Sequence, residues 1–237
     1  MKLDILVFSA HPDDAELGCG GTIVQATAGG QQVGVADLTA GELSTKGTVE
    51  LRAQEAARAS EIMGLAVREN MGFRDGFFTN DEQHQKALIQ VIRSYQPDIV
   101  LAAAPLDRHP DHARASQLIV DACFFSGLLK IQTEVDDNVQ QPWRPKALYH
   151  FIQSIYLKPD FIVDVSHHWS RKMKAIKAYK SQFSNDSPGP ETYISNPHFL
   201  KMVEARGVEF GHSIGTIYGE GFLTDRNLGV KDLFDLL

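Results

Sequence analysis

Leu3-Asp4-Ile5-Leu6-Val7-Phe8-Ser9-Ala10-His11-Pro12-Asp13-Asp14-Ala15-Glu16 joins a nearly all-apolar run to a polar turn, and helical sequence follows from about Glu16. Such a run fits a strand covered on both faces, as in the centre of a parallel sheet. In open α/β sheets ligands bind outside the carboxyl ends of the strands, and the turn from His11 to Glu16 falls there. Within its six residues, His11, Asp13, Asp14 and Glu16 can all bind a metal or move a proton. The adjacent carboxylates of Asp13 and Asp14 repel each other unless a cation or a proton resolves the conflict.

Outward from this segment, Gln32 to Thr39 reads as a second strand. Thr48 is placed to cap a helix in which Leu51, Glu55, Ala59 and Ile62 recur near a period of about 3.6, and Gly64 can end it. A third strand lies near Ala66 to Asn70. Thr79-x-x-Glu82 matches a capping box ahead of Leu88, Val91, Ile92 and Tyr95, with Pro97 closing that helix. Asp98 to Ala104 is the fourth strand, and another helix begins around Asp111. This alternation predicts an α/β fold built on a parallel sheet with crossover helices.

Beyond residue 130 the pattern loosens. Glu134 to Pro145 is polar and reads as a surface loop, since strand signals resume at Ala147 to Ile152 and Phe161 to Val165. Ser166 can cap a helix through Met173, Ile176 and Tyr179, and Asn196-Pro197 starts a helix that Gly207 ends. Ser184 to Pro190 has the composition of a mobile flap. The expected organisation is one domain over 1–237, with a C-terminal elaboration from about 130.

The 237 residues are 43% hydrophobic, and 23 Lys+Arg against 30 Asp+Glu give a formal net charge of −7. At roughly 100–200 residues per domain, this length can bury a sizeable core. With no dense basic run, the acidic balance argues against partners such as nucleic acid or a membrane surface, which require clustered Lys/Arg. Cys19 and Cys123 are the only cysteines, which excludes a disulfide framework or a Cys-type structural zinc site and fits a reducing, cytoplasmic setting. No apolar stretch approaches the roughly 20 residues of a membrane-spanning helix. The run Ile5 to Phe8 is also too short for a signal-peptide core.

A second cluster, Leu106-Asp107-Arg108-His109-Pro110-Asp111-His112, follows the fourth strand, so both clusters project from the same edge of the sheet. His11, Asp14 and His112 then offer two imidazoles and one carboxylate, with further coordination positions open, as in catalytic zinc sites. An isolated His-Pro-Asp-Asp could be a local turn; two such clusters at matching strand ends favour a metal or catalytic site. Gly18-Cys19-Gly20-Gly21 invites a dinucleotide reading, but the G-x-G-x-x-G fingerprint would need glycine where Ile23 stands. Asp13, Asp14 and Glu16 would also oppose a pyrophosphate. Glycines that let a helix pack closely on the sheet explain the segment better.

HPDDAE after the first strand, the later HPDH, and Ile214-Gly215-Thr216-Ile217-Tyr218-Gly219-Glu220-Gly221-Phe222 resemble the LmbE/PIG-L family of zinc-dependent N-acetylglucosaminyl deacetylases. Gly41-Glu42-Leu43-Ser44-Thr45-Lys46-Gly47-Thr48 and the Leu51-Arg52-Ala53-Gln54-Glu55-Ala56 that follows most resemble the bacillithiol-biosynthesis branch, which acts on N-acetylglucosaminyl malate. The resemblance implies a Rossmann-like three-layer α/β fold with a mostly parallel central sheet, a small-molecule glycoside substrate and a homo-oligomer, a hexamer being one form. It implies His11, Asp14 and His112 as metal ligands, Asp13 as general base, a protonated His109 beside the developing oxyanion, and Asp111 orienting a histidine. Arg52 would hold the acidic aglycone through its bidentate fork, or else pair with Glu50 or Glu55 on a helix surface. Lys46 is a second candidate for that duty, and His212 for a substrate contact. Zn²⁺ is the expected metal, with Fe²⁺ or another divalent ion compatible with the same donors. Two readings of another class remain: a non-heme iron facial triad, usually on a β-rich scaffold, and a non-catalytic metal- or sugar-binding module.

Overall fold

The computed structural model describes residues 1–184 and 189–236, so residues 185–188 of the expected flap lie outside the described residues. In chain order the elements are β1 (Ile5–Ser9), α1 (Asp14–Ala28), β2 (Val33–Thr39), α2 (Val49–Met63), β3 (Val67–Phe73), α3 (Glu82–Tyr95), β4 (Ile99–Ala103) and α4 (Pro110–Phe125). A two-stranded hairpin follows, β5 (Glu134–Val135) and β6 (Asn138–Val139), then β7 (Ala147–Phe151), β8 (Phe161–Asp164), α5 (Trp169–Ile176), α6 (Lys180–Phe183), α7 (Phe199–Ser213) and β9 (Gly219–Thr224).

Seven strands form one sheet in the order β3-β2-β1-β4-β7-β9-β8. The first five are mutually parallel, and β9 runs antiparallel between β7 and β8. Successive side chains of a strand point to opposite faces, and β1 shows the consequence. Leu6 and Phe8 pack with Leu88, Ile92, Leu118 and Ile119 of α3 and α4. Val7 packs on the other face with Ala15, Ile23, Ala56 and Ala175 of α1, α2 and α5. The fold is therefore a three-layer α/β sandwich around a mostly parallel sheet. The strand order reverses between β1 and β4, which both place their carboxyl ends at the same crevice.

Several boundaries differ from the sequence expectations. Helix α1 begins at Asp14 rather than Glu16 and is kinked at Cys19, whose φ of −141° is non-helical. Asp81, not Thr79, caps α3 by accepting from His84 N at 3.0 Å. The 134–145 loop contains the β5–β6 hairpin. Tyr179 falls beyond α5, which follows a short 3₁₀ turn at Ser166–His168. Gly207 does not end α7 but lies inside it, where an added Cβ would stand 2.3 Å from the Trp169 ring. The missing side chain admits the indole; it does not break the helix.

Candidate active site

The turn after β1 and the turn after β4 deliver His11, Asp13, Asp14, His109 and His112 into one cavity of about 190 Å³. Asp14 is central. Its Oδ2 accepts from the His11 backbone N–H at 2.9 Å and lies 3.4 Å from His11 Nδ1, while its Oδ1 lies 3.2 Å from His112 Nε2. The other nitrogen of each imidazole faces a different carboxylate: His11 Nε2 is 3.0 Å from Asp75 Oδ1, and His112 Nδ1 is 2.5 Å from Asp107 Oδ2. With a ring N–H directed at Asp75 and at Asp107, loss of the second proton would leave one lone pair on each imidazole turned towards Asp14, the arrangement in which histidines bind a cation. The donor set therefore fits a divalent metal such as zinc or ferrous iron.

Electrostatics follow from this packing. Burial opposes protonation of His112, yet Asp14 and Asp107 outweigh it and push the imidazole up to about 9. Burial also opposes protonation of His11, but Asp111, Asp14 and Asp75 raise it well above its ordinary value. For Asp14 burial acts against ionisation, and the two imidazoles overcome it, holding the carboxyl well below the usual range.

Asp13 sits at the strained point of the turn, with φ of 133° in a region that side chains rarely adopt. Burial raises its carboxyl to about 7 even though Arg52 pulls in the opposite direction. Arg52 is neither a surface residue nor paired with Glu50 or Glu55. It is buried, with Nη2 2.7 Å from Asp13 Oδ2, Nε donating to Pro12 O at 2.9 Å and Nη1 donating to Ser44 Oγ at 2.7 Å. These contacts use three of the five guanidinium N–H groups, and Arg52 also lines the cavity. Glu55 accepts from Ser181 instead. Glu16 leaves the cavity altogether and pairs with Arg68, which also forks onto Asp37.

His109 caps α4, its Nδ1 accepting from the Asp111 N–H at 3.2 Å. Burial, and then the neighbouring His11 and His112, lower its pKa. This lowering runs against the expectation of a protonated His109, and the bond from the Asp111 N–H to Nδ1 places a ring proton on Nε2. Asp111 is buried, accepts from Gly76 N at 2.8 Å, pairs with Arg114 and lies 3.4 Å from His11 Nε2. The histidine it approaches is therefore His11.

The family model described as GlcNAc-PI de-N-acetylase (PIG-L) matches residues 6–123. Diacetylchitobiose deacetylase of Thermococcus kodakarensis is 31% identical over 192 residues, which are 77% of this chain and 71% of the relative. The chain belongs to the PIG-L/LmbE family. A second PIG-L/LmbE relative, the probable N-acetyl-alpha-D-glucosaminyl L-malate deacetylase 2 of Bacillus anthracis, is 22% identical over 193 residues, 76% of this chain and 81% of the other. Among solved structures, the conserved protein TT1542 from Thermus thermophilus has a TM-score of 0.87 at 37% identity, covering 97% of this chain and 98% of that one. N,N'-diacetylchitobiose deacetylase from Pyrococcus horikoshii has 0.80 at 25%, covering 98% and 88%. A hydratase, GalB of Pseudomonas putida, shares the fold with 0.78 at 23%, covering 98% and 100%, so fold alone does not fix the reaction.

Two further residues of this PIG-L/LmbE chain depart from expectation. Lys46 is buried, its carbonyl accepts from Gln182 Nε2 at 2.8 Å, and it is not among the cavity-lining residues. His212 is exposed in the last turn of α7, also away from the cavity wall. Glu220, left open by the sequence, accepts from Gly21 N at 2.8 Å and Thr22 N at 2.7 Å and pairs with Lys172 at 2.6 Å. It thereby caps the part of α1 that restarts after the kink. Sequence reasoning assigned no role to Asp75, Asp107 or Gln153. Asp75 and Asp107 follow β3 and β4 at the same sheet edge, a positional signal; Gln153, which donates to Asp14 Oδ1 at 2.8 Å, had none.

Proposed function

We propose that this chain hydrolyses the acetamide of an N-acetylglucosaminyl conjugate, releasing acetate and a glucosamine amine. The carrying observation is Asp13: a buried carboxylate in the same cavity as the two imidazole lone pairs and next in sequence to Asp14, the carboxylate between them. His11, Asp14 and His112 would hold a divalent cation, zinc in the first instance, which when bound would supply Lewis-acid polarisation of the carbonyl and lower the pKa of water towards neutrality.

Asp13 Oδ2 is held by Arg52, and Oδ1 makes no hydrogen bond among the described residues. Oδ1 is therefore the atom that accepts a proton from the attacking water. His109, with its Nδ1 engaged by the Asp111 N–H, donates its Nε2–H to the oxyanion that forms on the former carbonyl; one lost donor of this kind costs about 100- to 1,000-fold in rate. Asp13 then returns its proton to the departing nitrogen as the C–N bond breaks.

Two conjugates compete as substrate. The 31% identity to a diacetylchitobiose deacetylase favours a neutral sugar aglycone. N-acetylglucosaminyl L-malate, the bacillithiol-type conjugate expected from the sequence, is the anionic arm of the test. Metal-loaded protein is incubated with diacetylchitobiose, N-acetylglucosaminyl malate and N-acetylglucosamine, and the amines released are ranked. Acetate release that stops with chelator and consumes no oxygen is the expected outcome. Oxygen uptake, or binding without turnover, would defeat the reading. Two free buried thiols favour a reducing cytoplasmic setting, and sedimentation analysis tests the homo-oligomer proposed with it.

A further inference from the structure

Arg52 makes an unusual set of contacts for a residue expected to meet substrate. Each of its three nitrogens has a partner inside the protein: Nε on the carbonyl of Pro12, Nη2 on the Asp13 carboxylate and Nη1 on the hydroxyl of Ser44. Pro12 and Asp13 belong to the turn after β1, whereas Ser44 belongs to the loop after β2. The planar fork therefore fixes one carbonyl and one carboxylate of consecutive residues at once, which a point-charge lysine cannot do. Between those two anchors lies the backbone of Asp13, with its φ of 133°. A non-glycine residue holds such a conformation only where its surroundings over-determine it, and Arg52 constrains this turn alongside the Asp14 carboxylate on His11 N.

We propose that Arg52 is the positioning residue of the general base, and that it acts on turnover through Asp13 instead of through the substrate. The inference rests on the hydrolytic reading above. The clamp holds Oδ2 so that Oδ1 alone faces the reacting atoms, and it ties that orientation to the loop carrying Leu43 and Ser44, both of which line the cavity. Ser44 is then the second anchor of the same device.

The test is a double-mutant cycle on the metal-loaded full chain with N-acetylglucosaminide substrates. Arg52→Met is expected to lower kcat by about 100-fold, the scale of a misplaced reacting group, with little change in KM for neutral and malyl conjugates alike. In an Asp13→Asn background the same substitution is expected to cost less than about twofold, because the residue it positions is already disabled. Equal losses in both backgrounds, or a rise in KM confined to anionic conjugates, would overturn the proposal in favour of a substrate clamp. Ser44→Ala, which removes one anchor, should lower kcat in the same sense by a smaller factor if Arg52→Met does not fold. A crystal structure of either variant is a readout independent of turnover. Displacement of the Asp13 carboxylate is expected, whereas an Asp13 conformation identical to wild type would sink the idea even if no acetamide proved to be a substrate. Absence of deacetylase activity in the wild type, together with that displacement in the variant, would defeat only the hydrolytic reading.

Discussion

Asp107 Oδ2 lies 2.5 Å from Nδ1 of His112, and the opposite nitrogen of that ring, Nε2, lies 3.2 Å from Asp14 Oδ1. The carboxylate selects the tautomer and aims the lone pair. Asp107→Asn is therefore expected to weaken metal binding by about 10- to 100-fold, measured by competition with a chromogenic chelator. His112→Ala, which removes the donor itself, should leave the purified protein without stoichiometric metal.

Asp13 has the opposite signature. It adjoins a ligand but is held by Arg52, so Asp13→Asn should retain metal by elemental analysis while turnover falls by about 100- to 10,000-fold. Near-normal turnover in a metal-loaded Asp13→Asn protein would remove Asp13 from the role of base.

Proton and metal compete for the same imidazoles. With His112 raised to about 9 and His11 also raised, metal uptake must displace protons across the neutral range, so affinity should climb with pH until about 9. For the metal-free protein the sign is reversed. A group whose folded pKa lies above its ordinary 6.5 contributes stability that is complete below 6.5 and is lost as pH rises through about 9. Burial-raised Asp13 acts in the same direction as pH rises through about 7. Thermal melts of the chelated protein should thus fall from mildly acidic to alkaline pH, and a flat or rising trend would contradict the assignment.

Gly207 offers a test of packing. Glycine to alanine inside a helix usually stabilises by up to about 1 kcal/mol. Here the new Cβ would stand 2.3 Å from the Trp169 ring, so Gly207→Ala should instead destabilise by about 1–3 kcal/mol in denaturant titration.

The sheet and the convergence of two turns were legible because they rest on local signals: apolar runs for β1 and β4, and caps such as Thr48 and Gly64. The convergence of the candidate donors was legible for the same reason, since His-Pro-Asp-Asp and His-Pro-Asp-His carry their side chains within a few residues at strand ends. What escaped depends on long-range contact. Arg52 reads as a substrate fork or a helix-surface arginine because nothing in its own helix reveals that Asp13 lies 39 positions away in sequence but within hydrogen-bond reach. The lowered pKa of His109 depends on burial and then on two other imidazoles, one of them from a different turn. Strand β9 is rich in glycine and has weak strand propensity, and only its pairing with β7 and β8 makes it a strand.

The contact of Glu220 with Gly21 spans 199 residues. During synthesis the helix bearing Asp14 must therefore wait, with its restarted segment uncapped, until nearly two hundred further residues have left the ribosome. A chain that ends before β9 therefore lacks the carboxylate that accepts from Gly21 and Thr22.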